Sequence, residues 1–259
     1  MLHTTSATHI NGSSQITGYR NIDPHEGFLY SNDSYTTITA PGGGLTFLEG
    51  INDAAQIVGY TYQSGSVPLS IPYVTSFVDS GGTFTSVRDP QEVPPSGRPS
   101  NPRGTFAQGI NNAGQIVGYY SGSGTAIHGF LLSGGTYTTL DDPLGVGSTY
   151  ATGINNAGQI VGYFIDVNGG IHGFLYSGGA YTTIDDPLAT GGTYLYGIND
   201  VGQIVGTWVD GSTNNRHGFL GTLPNPPPPA GTTADMILRR GDGMYEIYDI
   251  GNNATLGAF

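Results

Sequence analysis

Three histidines, His128, His172 and His217, each stand directly before a Gly-Phe-Leu run, and imidazole is both a proton carrier and a metal ligand near neutral pH. Two segments place adjacent carboxylates ahead of a proline, Asp141-Asp142-Pro143 and Asp185-Asp186-Pro187. Carboxylate oxygens hold Ca2+ or accept hydroxyl protons from a sugar, whereas Asp and Pro as structural residues end strands and set turns. The oxygen-rich stretches Asp166-Val167-Asn168-Gly169 and Asp210-Gly211-Ser212-Thr213-Asn214 leave the same two readings open. Aromatic side chains close another recurrent run at Tyr60, Tyr120, Phe164 and Trp208, the last being the only Trp. An aromatic ring there packs between sheets or stacks on a sugar ring, and Tyr and Trp add a polar tip.

These groups belong to a repeat. Gly-Ile-Asn-(Asn/Asp)-x-Gly-Gln-Ile-Val-Gly, complete at Gly109 to Gly118, Gly153 to Gly162 and Gly197 to Gly206, recurs in looser form around Asn11 and Asn52. Taking Asn11, Asn52, Asn111, Asn155 and Asn199 as markers, the spacings are 41, 59, 44 and 44. A second motif follows each copy, with Phe28, Phe77, Phe130, Phe174 and Phe219 at its centre, and a third follows the first four, as in Tyr181-Thr182-Thr183-Ile184. Each run is short, β-branched or aromatic, and bounded by Gly, Asn, Asp or Ser, the pattern of a strand. About four strands fall in each unit, here a (Thr149 to Ile154), b (Gln159 to Ile165), c (Ile171 to Tyr176) and d (Ala180 to Asp185) in the fourth.

Tight Asn/Gly turns join a to b and c to d, so each unit reads as a four-stranded antiparallel meander. Strands without clean polar alternation have both faces covered. The expected fold is all-β: a five-bladed β-propeller of about 44-residue, four-stranded repeats over residues 1–223. A Pro-rich linker follows at 224–233, then a short C-terminal β-hairpin segment at 234–259. The fifth unit lacks its own d strand, which either the N-terminal residues or the tail could supply. Repeat two carries two insertions, Gln63 to Thr75 and Gln91 to Arg103.

Radial blades would keep His128, His172 and His217 too far apart to share an ion, which favours a structural role for each. The loop-rich side, formed by the b–c and d–a links, is the expected binding face. Positions shared by all copies read as scaffold, so candidates lie where copies differ. One such row is Thr8, Glu49, Gln108, Thr152 and Tyr196, just before the repeated Gly of strand a, where Glu49 is the only acid. A solvated, freely varying position is the plainer reading of that row. The candidate ligand-binding residues are therefore Glu49, Tyr60, Tyr120, Asp142, Phe164, Asp186, Tyr196 and Trp208.

Composition narrows the classes. The chain holds 44 Gly and 16 Pro in 259 residues, about twice the ordinary share, which disfavours a helical protein. Seven basic residues, all Arg, against 19 acidic ones give a formal net charge of −12; such a surface repels phosphate backbones and anionic lipid. Neither nucleic acid nor a membrane is expected as a partner. The absence of Cys excludes disulfides, zinc-thiolate sites and a Cys nucleophile. Residues Met1 to Thr4 have neither the basic nor the apolar region of a secretion signal.

The repeated Gly-Ile-Asn motif followed by His-Gly-Phe-Leu resembles the bacterial HAF family of extracellular repeat proteins, over roughly residues 7 to 220. The family's His-Ala-Phe signature reads His-Gly-Phe here, and the second repeat has Ser76 near the His position. The resemblance implies secretion and a propeller-like fold and carries no catalytic residues. The expectation is a secreted bacterial binding module, lectin-like, taking a glycan or another small neutral ligand, monomeric, without a cofactor save that Ca2+ is admissible. Two alternatives stand beside it: a polysaccharide-acting hydrolase or lyase with one site, and a structural or protein-interaction repeat.

Overall fold

A computed structural model describes residues 4–21, 26–42, 44–63, 73–93 and 103–223, with strands at 235–239, 245–249 and 254–258. All regular elements among them are strands. The proline linker and most of both insertions lie outside the described residues. The chain divides into two compact units, Met1–Thr139 and Leu140–Phe259.

The first unit contains three meanders of the propeller-blade type. They comprise β1 (Thr4–Ile10), β2 (Ile16–Asn21), β3 (Glu26–Ser31) and β4 (Ser34–Ile38); β5 (Leu45–Ile51), β6 (Gln56–Gln63), β7 (Tyr73–Ser80) and β8 (Thr83–Val87); and β9 (Arg103–Ile110), β10 (Ile116–Ser121), β11 (Ile127–Ser133) and β12 (Thr136–Leu140). The first insertion lengthens β6 and β7 together, and β7 then pairs in parallel with β9 at Tyr73↔Arg103 and Val74↔Gly104, fusing the second and third meanders into one eight-stranded sheet.

The second unit holds β13 (Thr149–Ile154), β14 (Ile160–Ile165), β15 (Ile171–Ser177) and β16 (Ala180–Ile184), then β17 (Gly192–Ile198), β18 (Gln203–Asp210) and β19 (Asn215–Thr222). The missing fourth strand of the last meander comes from the tail: β20 (Asp235–Arg239) pairs with β19 at Gly221↔Leu238 and Thr222↔Ile237. The tail continues into β21 (Tyr245–Asp249) and β22 (Ala254–Ala258), so it is a three-stranded extension where a hairpin was expected. The Gly/Ala-rich third strand has little β-branched signal to announce it.

Within each unit a meander packs its trailing face on the leading face of the next one in the chain. Within the second unit Val161, Leu175 and Ile184 on a trailing face pack on Leu195 and Ile204 of the next leading face. In the first unit Val58 meets Ala107 and Ile110 in the same way. Burial on both faces explains the continuous apolar strands.

The a–b turn is a hydrogen-bonded corner present in all five repeats. Asn155 Oδ1 accepts from the Ala157 and Gln159 amides, and its Nδ2 donates to Gln159 Oε1. The residue before Gln is left-handed, at φ 72, 76 and 77° for Gly114, Gly158 and Gly202; Ser14 and Ala55 hold it in the first two repeats at φ 59 and 56°. The corner also ties neighbouring sheets: Asn11 Nδ2 donates to Asn52 O, Asn52 Nδ2 to Asn111 O, and Asn155 Nδ2 to Asn199 O. Beside it the Gly12 amide donates to Asp53 Oδ1, Asp53 N to Asn112 Oδ1, and Asn156 N to Asp200 Oδ1.

Candidate functional site

The row of differing residues on strand a has a common backbone cause. Registers slip between Ala7 and His9, Leu48 and Gly50, Ala151 and Gly153, and Leu195 and Gly197. In the third repeat Val117 pairs with Gly109 and Gly118 with Ala107. Thr8, Glu49, Gln108, Thr152 and Tyr196 are thus the extra residue of a β-bulge, a device that re-aims a side chain. Thr8 Oγ1 donates to Leu48 O at 2.7 Å, and Thr152 Oγ1 to Leu195 O at 2.8 Å, each reaching the next sheet. The reading of this row as freely varying solvated positions is corrected for these threonines, which are cross-sheet ties.

Glu49 is half-buried at its bulge and accepts a hydrogen bond from the Tyr60 hydroxyl. Burial pushes its carboxyl pKa up to about 7, against the opposing pull of that bond. Around it Phe47 stacks on Tyr60 with centroids 5.2 Å apart, and Tyr62, Tyr19 and Phe106 close edge-on around the pair. Tyr60 is therefore a packing residue that also holds an acid in place, and burial raises its own pKa. Tyr196 is exposed, with its hydroxyl 3.2 Å from Thr207 Oγ1.

Two aromatic candidates are corrected outright. Tyr120 and Phe164 are buried, and their faces are taken by His128 and His172, each stacked at 5.3 Å from its direct cross-strand partner. Tyr120 also donates from its hydroxyl to Gln91 Oε1. Neither ring has a face for a sugar. Trp208 repeats the geometry with His217, at 4.1 Å, but is only half-buried because His217 is exposed.

Asp142 and Asp186 are buried in Asx turns. Asp142 Oδ1 accepts from Leu144 N and Asp186 Oδ1 from Leu188 N, while their own amides donate to Thr149 and Thr193 hydroxyls. This is the turn reading of the Asp-Asp-Pro segments, and it uses the acids as structure. The oxygen-rich links are built likewise: Asp210 accepts from Ser212 and Thr213, which pulls its pKa down to about 2.

Asp186 nevertheless lines the cavity that the fourth repeat builds. This opening of about 600 Å3 lies between the b–c link, Asn168 to His172, and the d–a link, Asp185 to Thr193. Both belong to the loop-rich side singled out in the sequence. His172 stands on its wall, with Nδ1 2.6 Å from Asp185 Oδ2 and Nε2 3.6 Å from Asp166 Oδ2. Burial works against the charged imidazole, but bonds and attraction from Asp185, then Asp166, outweigh it and raise the His172 pKa. Burial raises that of Asp185 in turn, while the amide hydrogen bond from Gly170 leads in lowering that of Asp166.

The opposite rim is backbone. Thr190 and Gly191 amides donate to Val209 O, and Gly211 N donates to Thr190 Oγ1, pinning the link to the fifth meander. Gly192 sits at φ +123°, and a Cβ there would lie 2.9 Å from the Ile171 Cβ, so only glycine lets β17 start against β15. At the matching place between the second and third meanders, the β7–β9 pairing of backbones occupies the gap.

Asp166 and Asp185 were visible in the sequence as parts of an oxygen-rich link and an Asp-Asp-Pro segment but stood outside the candidate set, and Thr190 was not singled out. Their signal was there: only the fourth repeat combines His with acids in the b–c link and at the end of strand d. Among the described residues no group of three or more His, Cys, Asp or Glu side chains is arranged to hold a metal ion.

No family model matches the sequence, and no curated protein does. Among solved structures, the chain is similar to a variant of AofleA from Arthrobotrys oligospora, at TM-score 0.48 and 11% identity over 95% of this chain and 83% of that one. It is also similar to an Aleuria aurantia lectin variant in complex with Fucα1-6GlcNAc, at TM-score 0.45 and 14% identity over 95% and 91% of the two chains. SapL1 lectin in complex with α-methyl fucoside follows at 0.36 and 12%, over 98% and 94%.

Proposed function

We propose that this chain is a lectin-like glycan-binding module whose sugar occupies the cavity of the fourth repeat. The observation that carries the reading is the composition of the walls: His172, clamped by Asp185 and Asp166, lines the cavity with Asp185, Asp186 and a glycine-rich backbone, together with Ile171, Pro187 and Ala189. Carboxylate oxygens accept sugar hydroxyl protons, backbone amides and carbonyls complete the set, and the small apolar patch takes a C–H face of the ring. The carboxylates outnumber the one imidazole, so a neutral glycan fits where a uronate or phosphate would be repelled.

A hydrolase needs two carboxyl groups facing each other across substrate and water. Asp166 and Asp185 instead hold opposite edges of the His172 ring, which fills the space between them. Among the described residues Glu49 lies in its aromatic cluster with no carboxylate opposite, and Asp142 and Asp186 are committed to turns. The resemblance to the HAF repeats supports placing the module outside a bacterial cell.

The test is a glycan array followed by calorimetry with the strongest hit. One site per chain is expected, because the acid–His–acid cluster is particular to the fourth repeat. Asp185→Asn and His172→Ala should each weaken binding tenfold or more, while Glu49→Gln leaves it unchanged. Absence of any array signal, or Asp185→Asn binding as well as the native chain, would overturn the assignment.

A further inference from the structure

His172 joins two of the segments that enclose the cavity of the fourth repeat. Its Nδ1 lies 2.6 Å from Asp185 Oδ2 at the end of β16, and Asp185 Oδ1 accepts from the Gly173 amide, so that edge of the ring is fixed to the sheet. The Nε2 edge is turned to the b–c link, where Asp166 Oδ2 lies at 3.6 Å and a Cβ on Gly170 would come within 3.0 Å of Nε2. The link itself is a closed turn. Asp166 Oδ1 accepts from the Asn168 and Gly170 amides at 2.8 and 2.6 Å, and the Asp166 amide donates to Gly170 O. Val167, Asn168 and Gly169 are exposed. Among the described residues Asp166 Oδ2 is thus the side-chain atom that ties this turn, and with it the Asn168–Gly170 wall of the cavity, to the imidazole.

We propose that the wall is gated by a proton on His172: the charged imidazole holds the Asn168–Gly170 link in place against the sugar, and loss of the Nε2 proton releases it. Resting on the placement of the sugar in this cavity, the gate adds its regulation. With both nitrogens protonated, Nδ1–H donates to Asp185 and Nε2–H is drawn to Asp166, so the ring is held on either edge by a carboxylate. When one proton leaves, the shorter bond to Asp185 keeps the one on Nδ1, and Nε2 turns a lone pair toward a carboxylate oxygen. Attraction at the tie becomes repulsion. The acids facing the ring are Asp185 at the end of β16, Asp166 in the b–c link and Asp142 in the link before β13, while Phe164 of β14 stacks on the ring without charge. Burial is the largest single influence and opposes the charge, but the bonds and attraction of Asp185 and Asp166 together outweigh it and raise the pKa above the ordinary 6.5. The tie is therefore complete below that value and is lost as pH rises through the raised one.

Calorimetry with the strongest array hit should show affinity falling about fivefold from about pH 6 to about pH 9, the worth of one partly exposed ion pair. Asp166→Asn should reverse the sign. Its Oδ1 still accepts from the Asn168 and Gly170 amides, while its Nδ2 donates to Nε2 only when that nitrogen is unprotonated, so this variant binds more tightly at the higher pH. His172→Gln should bind more weakly and without dependence on pH over the range, and its flat profile decides the matter if Asp166→Asn fails to give the native circular dichroism spectrum. Amide hydrogen exchange at Asn168, Gly169 and Gly170 in the ligand-free chain, corrected for intrinsic rates, reads the gate without a sugar. Protection should fall with rising pH in the native chain and rise in Asp166→Asn. That pattern in a chain that binds no glycan would sink the lectin-like reading and leave the gate standing. Glycan binding and link exchange that both ignore the titration of His172, or an Asp166→Asn chain that keeps the native sign, would overturn the gate and leave the lectin-like reading standing.

Discussion

Glu49→Gln offers the sharpest test of the electrostatics. The Glu49 carboxyl ordinarily titrates near 4.5 and is raised to about 7 in the folded chain, chiefly by desolvation at its bulge. Below the lower value both folded and unfolded chains carry it protonated, and it contributes nothing to pH dependence. Between the two values the unfolded chain ionises it while the folded chain does not, so stability falls as pH rises; above about 7 the penalty is complete and constant. At about 1.4 kcal/mol per unit, the shift sets an upper bound of about 3 kcal/mol. Gln keeps the shape and a partner for Tyr60 but cannot ionise. Urea unfolding of both proteins, followed by circular dichroism from about pH 4.5 to about pH 8, gives the difference directly. Glu49→Gln should gain on the native chain steadily through that window, by up to about 3 kcal/mol, and the gain should level off beyond it. A difference curve flat across the window would refute the account, since other groups with shifted pKa values cancel between the two proteins.

Two stability predictions follow from the repeat comparison. Ala55 holds a left-handed conformation that Gly114, Gly158 and Gly202 occupy elsewhere, so Ala55→Gly should raise stability by about 1 kcal/mol, read as a higher denaturation midpoint with unchanged slope. Thr152→Val keeps the shape of the side chain but removes its bonds to Val161 O and Leu195 O, and should cost about 1–2 kcal/mol in the same assay.

The strands and their order were legible because both rest on local chemistry that recurs: apolar runs between Asn/Gly corners. The bulge was not. Where both faces of a strand are apolar, a one-residue slip leaves no trace in the pattern, so the variation at Thr8 and Thr152 looked like solvent exposure when it marks a side chain turned toward a neighbouring sheet. The aromatic candidates failed for a related reason. Tyr120 and Phe164 sit opposite histidines only because of the cross-strand register, which spacing along the chain does not report.

The cavity shows the limit more clearly. Adjacency drew attention to Asp185 and Asp186 as a pair, yet neighbouring residues at a strand end diverge: Asp185 turns to His172 and Asp186 to the Leu188 amide. The third member, Asp166, comes from a different link. His172 itself was visible, but its equivalence with His128 and His217 argued for scaffold. What sets it apart is the company that two loops bring to it.

The Asn corner has a consequence for how such a chain can grow. Its hydrogen bonds span a fixed four residues, from Asn155 to Gln159 and at every counterpart, so that end of each sheet has no slack for an added residue. The opposite end tolerates length, as the second repeat shows by carrying extra chain between β6 and β7 and again before β9. New sequence can thus be grafted at one pole without re-indexing the stack, and a peptide introduced between Asp210 and Asn215 would be displayed there while the neighbouring sheets keep their spacing.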